Sequence, residues 1–178
     1  MQSKQKFARV AVVGAGIMGS GIAQLAAMAG YDVTLCDMAP EQLERALGQI
    51  SASIDKLAGK GQMDREAGRQ ALRRMRLSGS LAEAAAGADL VIEAVAEVLA
   101  VKQSVLREAM DVARPDALFG TNTSQLSITA IASGSPDAAD RVVGLHFFNP
   151  AVLMRLVEIV RGLQTSDATV AAGCASIS

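Results

Sequence analysis

Residues 14 to 19 read GAGIMG; they follow the apolar run VAVV and open onto SGIAQLAAMA. No other stretch restricts the fold as strongly, because three glycines at this spacing suit a chain that leaves a strand, turns tightly and starts a helix at once. The flanks agree with that geometry. ARVAVV, residues 8 to 13, is short, apolar and without alternation, as in a strand covered on both faces. MGSGIAQLAAMA, residues 18 to 29, places apolar side chains at helical spacing, and Gly30 ends that helix. YDVTLCD then forms a second apolar strand that finishes at Asp37.

Strand, glycine turn, helix, strand and terminal acid occur in the order that a dinucleotide-binding βαβ unit requires. Gly14 allows the tight turn, Gly16 lets backbone amides approach a pyrophosphate, and Gly19 lets helix and strand pack closely. Ile17 and Met18 open the helix, where amide donors and the helix dipole favour phosphate. Asp37 lies 23 residues after Gly14, where a carboxylate accepts from both hydroxyls of an adenosine ribose and repels a 2′-phosphate. The expected cofactor is therefore NAD rather than NADP. The competing reading is a plain glycine turn with a solvated Asp at a strand end.

The rest of the chain continues the alternation. PEQLERALGQISASIDKL and KGQMDREAGRQALRRM read as two helices, RLSG and SLAEAAAGA as a short strand and turn, and ADLVIEAV as a buried strand. Residues 98 to 113 form a helix, DALFGTN a short strand, ASGSPDAAD a surface loop, RVVGLHFF a strand and RLVEIV a final apolar run. The pattern is an α/β doubly wound, mostly parallel sheet. A chain of 178 residues holds one such domain, and DATVAAGCASIS at its end reads as the opening of a helix.

Charge excludes some partners. Seventeen Lys and Arg against eighteen Asp and Glu, with no basic stripe, argue against a nucleic-acid surface. No unbroken apolar run approaches the length of a membrane span. Cys36 and Cys174 match no metal or redox spacing, and without a secretory segment the expected compartment is the reducing cytoplasm.

His146 is the only histidine, at the end of an apolar strand in GLHFFNP. Ligands in such sheets bind outside the carboxyl ends of the strands, so an imidazole there can serve as the base for an alcohol oxidation. Glu158 in RLVEIV could orient that imidazole if the intervening AVLM connection returns the chain alongside, a register the sequence leaves open. In TNTSQLSI, Thr123, Ser124 or both could cap the next helix, a role compatible with the Ser124 hydroxyl donating to a substrate oxygen.

These blocks together resemble the 3-hydroxyacyl-CoA dehydrogenase family, specifically its N-terminal NAD-binding domain. The resemblance runs from about residue 7 to the chain end through GAGIMGSGIA, VIEAVAE, NTSQLSIT and above all GLHFFNPAVLMRLVEIVRG. It implies a Rossmann-type fold, His146 as catalytic base, Glu158 as its partner and Ser124 as the hydrogen-bond donor to the 3-oxygen of an acyl-CoA substrate. It further implies Glu97 and Lys102 near the nicotinamide half of the cofactor, Asn149 shaping the catalytic loop, and Lys60 and Lys56 near the coenzyme A phosphates. Gln125 and Val98 depart from the residues common at those places, flanking the site without removing its reactive groups. Family members continue into an all-helical C-terminal domain that makes most of a homodimer contact, and this chain contains none of it. Three alternatives stay open: a dehydrogenase of free hydroxy acids or sugar acids, a non-catalytic NAD-binding domain, and a module of a larger fatty-acid oxidation protein. The start of the chain close to the first strand favours a stand-alone dehydrogenase over that module.

Overall fold

The computed structural model describes residues 7–154 and 156–176. Seven strands form one sheet: β1 (Arg9–Val13), β2 (Asp32–Cys36), β3 (Met75–Ser78), β4 (Leu90–Glu93), β5 (Leu118–Thr121), β6 (Val142–Phe147) and β7 (Val157–Arg161). Their spatial order is β3-β2-β1-β4-β5-β6-β7, and every neighbouring pair is parallel except β6 and β7. This is the Rossmann-type arrangement, with the direction of winding reversing between β1 and β4. The all-helical domain is not among the described residues.

Alternation along β1 explains why its sequence is apolar from Val10 to Val13. Val10 and Val12 join Ile22 and Ala23 of α1 (Ile17–Met28) and Ile50 of α2 (Pro40–Gly59) on one face. Ala11 and Val13 pack on the other face with Ala85 of α4 (Leu81–Ala85), Leu106 of α5 (Leu99–Val112) and Ile131 of α6 (Ile128–Ala132). Successive side chains point to opposite faces and both faces are covered, so neither set has a polar side to show. α3 (Arg65–Arg73) joins the first layer, and α7 (Asp167–Ser176) packs there against β6 through Ala172.

Several local expectations change. Residues 81–85, expected as a turn, form a helix because the Ser80 hydroxyl caps it, accepting from the Glu83 amide at 3.2 Å. The expected loop after α6 contains a 3₁₀ helix over Pro136–Arg141. The helix expected from residue 60 starts only at Arg65, since Gly61 turns at φ +69° and Asp64 supplies the cap. Ser127, not Thr123 or Ser124, caps α6, its hydroxyl accepting from Ala130 at 3.3 Å.

Cys36, at the end of β2, is a buried thiol. Burial, and then the negative charges of Asp37, Glu108 and Glu83, push its pKa up to about 11. A thiol reagent at pH 8 is therefore expected to modify the exposed Cys174 quickly and Cys36 only after denaturation. Two fast-reacting thiols in the native chain would contradict this burial. No helix among the described residues is long and apolar enough to cross a membrane.

Candidate active site

The glycine turn is built by close approach. Gly14 adopts φ +99°, a left-handed conformation that favours glycine, and a Cβ there would stand 2.7 Å from the Ala94 carbonyl oxygen. At Gly19 a Cβ would lie 1.7 Å from the Gly14 oxygen, so the packing of α1 against the turn after β1 depends on a bare α-carbon. Gly16 differs: a Cβ there would meet nothing within 4 Å. The space before it is open toward the first turn of α1, whose amides lack helical partners and which carries no acidic side chain. An anionic pyrophosphate fits these donors, and a side chain at residue 16 would occupy the same space.

Asp37 ties this turn to the end of β2. One carboxylate oxygen accepts from the Ala15 amide at 2.8 Å, and the other accepts from the Ala39 amide at 3.0 Å. The half-buried carboxylate keeps lone pairs for further donors, which suits the two hydroxyls of a ribose.

The second part of the site lies at the same edge of the sheet, beyond β5 and β6. Antiparallel pairing sets His146 directly opposite Glu158, so both side chains emerge on one face. His146 Nδ1 is 2.7 Å from Glu158 Oε2, and its Nε2 is 3.0 Å from Ser124 Oγ. A carboxylate only accepts, which assigns the ring proton to Nδ1 and leaves the Nε2 lone pair to accept from the Ser124 hydroxyl. The imidazole is 19% exposed and the carboxylate 52%, so the dyad opens to solvent on the Glu158 side. The Phe148 ring packs beside the imidazole at 4.6 Å.

Beneath Ser124 lies a charged cluster. Glu97 Oε1 accepts from the Thr123 hydroxyl, from the Ser124 amide at 3.0 Å and from the Gln125 amide at 3.2 Å. Partial burial works against the charged form of Glu97, but these bonds and the Lys102 ammonium outweigh it and hold its pKa below the usual carboxylate range. Lys102 stands 3.4 Å from Glu97 Oε2 and 2.8 Å from Glu93 Oε1, and donates to the Asn122 carbonyl at 3.0 Å. Its side chain has no exposed surface. Lys102, expected near the nicotinamide half of a cofactor, reaches the crevice in this structure through Glu97.

Sequence reasoning overlooked Glu93. Its carboxylate is fully buried and accepts from Lys102, from the Val95 amide at 2.7 Å and from the Thr121 hydroxyl at 2.6 Å. An acid inside the apolar run DLVIEAV is the signal that could have found it, since a buried carboxylate requires such partners.

The remaining candidates stand apart. Asn149 precedes a cis peptide bond to Pro150 and is exposed; no hydrogen bond joins it to His146, Glu158 or Ser124. It lines a cavity of about 150 Å³ with Ile17, Ser20, Gln24 and Ser53. Lys56 lies in the last turn of α2 and Lys60 is its C-cap; both are exposed and form no ion pair among the described residues. No group of three metal-ligating side chains occurs among the described residues.

Fold and site together define a dinucleotide-binding domain with a hydrogen-bonded carboxylate–imidazole–hydroxyl chain at the carboxyl edge of its sheet. The family model for the 3-hydroxyacyl-CoA dehydrogenase NAD-binding domain matches residues 9–178. The chain is 44% identical over 165 residues to 3-hydroxyadipyl-CoA dehydrogenase of Escherichia coli K12, covering 93% of this chain and 34% of that protein. It is 40% identical to 3-hydroxybutyryl-CoA dehydrogenase of Bradyrhizobium diazoefficiens, covering 90% and 54% respectively. The crystal structure of 3-hydroxybutyryl-CoA dehydrogenase from Escherichia coli K12 superposes with a TM-score of 0.92 at 42% identity, over 96% of this chain and 36% of that one. This chain belongs to the 3-hydroxyacyl-CoA dehydrogenase family and comprises its NAD-binding domain. It spans between a third and somewhat more than half of the length of these relatives.

Proposed function

We propose that this protein takes part in the reversible, NAD-dependent oxidation of a (3S)-3-hydroxyacyl-CoA to the 3-ketoacyl-CoA. The observation that carries the reading is the chain of contacts from Glu158 through His146 to Ser124, at 2.7 and 3.0 Å. In the oxidation direction His146 Nε2 takes the proton of the C3 hydroxyl, and Glu158 offsets the charge gained by the imidazole. Ser124 aligns the reacting oxygen, and Glu97 holds the Ser124 amide in place. Gly14, Gly16 and Gly19 with the amides of Ile17 and Met18 would hold the cofactor pyrophosphate, and Asp37 the adenosine ribose. Bound NAD supplies the hydride acceptor.

Lys60 and Lys56, as exposed and unpaired cations, suit the phosphates of coenzyme A, and Asn149 would shape the loop that follows His146. In a longer form that includes the family's helical domain, the expected assembly is a homodimer, with the reducing cytoplasm as its compartment. The present chain is expected to bind NAD and turn over slowly by itself.

The test is the initial rate of acetoacetyl-CoA reduction by NADH, with NADPH and free acetoacetate run in parallel. NADH oxidation that requires the thioester supports the proposal; activity on the free keto acid alone would move the protein to another substrate class and leave Lys60 a surface lysine. The same assay checks Asp37. Asp37→Ser is expected to weaken NADH binding on the order of tenfold and to reduce the discrimination against NADPH, since it removes both acceptor oxygens and the repelling charge. An unchanged NADH to NADPH ratio would disprove that role.

A further inference from the structure

β5 and β6 pair from Phe119↔Val142 to Thr121↔Gly144, and no further. Beyond that point the two strands separate, leaving the backbone next to His146 without a ladder partner on that side. The Asn122 side chain spans the gap: its amide oxygen accepts from the Phe147 backbone amide at 3.0 Å. Asn122 is itself held at two other atoms. Its amide donates to the Glu93 carbonyl at 2.8 Å, and its carbonyl accepts from the buried Lys102 ammonium at 3.0 Å. The ammonium is fixed in turn by the Glu93 carboxylate, which is buried and bonded on both oxygens.

One residue therefore links the two reacting side chains through backbone. Just past the end of β5 it stands two residues before Ser124; across the gap it grips the residue after His146. We propose that Asn122, anchored by the buried Glu93–Lys102 pair, is the positioning residue that sets the Ser124 Oγ to His146 Nε2 contact. It touches neither substrate nor cofactor in this role. An apolar residue at 122 would leave the Phe147 amide without its acceptor and let the His146 end of β6 move away from the Ser124 turn. The inference rests on the reading of Ser124 and His146 as the working pair.

The chain contains a single histidine, so its imidazole nitrogens give one unambiguous ¹⁵N spin system. The native chain is expected to show the Nδ1–H tautomer with Nε2 shifted upfield by the Ser124 hydroxyl. Ser124→Ala, as the reference for a lost contact, moves Nε2 downfield. Asn122→Ala is expected to move Nε2 in the same direction by most of that shift, while the Nδ1–H tautomer persists and NADH affinity stays within about twofold. Asn122→Asp keeps an acceptor for the Phe147 amide and is expected to restore the native Nε2 position, which a general loss of stability would not do. If Asn122→Ala does not fold, Asn122→Ser, too short to reach Phe147, gives the same reading. A folded Asn122→Ala or Asn122→Ser variant with the native Nε2 position overturns the inference, as does Asn122→Asp behaving like Ser124→Ala. If Ser124→Ala itself leaves Nε2 unmoved, the working-pair reading fails instead.

Discussion

Replacing His146 with Gln is expected to lower the rate of NADH-dependent acetoacetyl-CoA reduction on the order of 10²- to 10⁴-fold, the usual contribution of a positioned general acid or base. NADH binding should change by less than about twofold, because the imidazole lies at the end of β6 while the glycine turn proposed to hold the pyrophosphate follows β1. Glutamine reproduces much of the hydrogen-bonding shape: its amide can donate to Glu158 and accept from Ser124. It cannot take up a proton near neutral pH, and that is the property under test. Glu158 is half exposed, so the substitution leaves no buried, uncompensated charge and the fold should persist. Binding titrations and initial rates on one preparation check the point, in this chain or in any longer form that contains it. Retained activity would reduce His146 to a structural strand-end residue and remove the acid–base role proposed for it.

The second large effect separates two glycines that look alike in the motif. Gly19→Ala would place a methyl group 1.7 Å from the Gly14 carbonyl oxygen and 2.9 Å from its carbon. Gly14 cannot yield, since its amide donates to the Cys36 carbonyl at 2.8 Å and Ala94 blocks retreat on the other side. The expected cost is about 3 kcal/mol or more, at the upper end for overpacking, which lowers the melting temperature by roughly 6–12 °C in a domain of this size. Gly16→Ala meets no protein atom and its φ of −70° suits alanine, so its melting temperature should stay near that of the native chain. NAD affinity is nonetheless expected to fall by about tenfold or more, near 1.4 kcal/mol, because the methyl group fills the space in front of the α1 amides. Thermal melts and NAD titrations on the two variants give opposite rankings if this account holds. A stable Gly19→Ala variant, or a Gly16→Ala variant with native affinity, would contradict it.

The parts of this protein that could be read directly from its residues share a short range. β1, the glycine turn, α1 and β2 follow from apolar periodicity and from three residues lacking a Cβ. Asp37 follows from its place at the end of β2. α4 escaped notice because five residues rich in alanine carry too little periodicity to distinguish a helix from a turn, and only the Ser80 cap marks its start. Thr123 was readable as a polar turn residue, yet its hydroxyl donates to Glu97, and the cap of α6 fell to Ser127. Lys102 lies in an amphipathic helix where a lysine ordinarily reaches water; its complete burial depends on Glu93 and Asn122, which are neighbours only after β4 and β5 pair.

Most strands and the longer helices, the glycine geometry and the identity of the ionisable groups were legible in the residues alone, because backbone preference and side-chain periodicity act over a few residues. The tertiary structure decided which of those groups meet. His146 faces Glu158 because the antiparallel return of β7 sets that register, and Ser124 reaches the imidazole because β5 and β6 lie side by side. Such encounters depend on sheet order and strand register, which arise from packing the whole core and are encoded in no single segment.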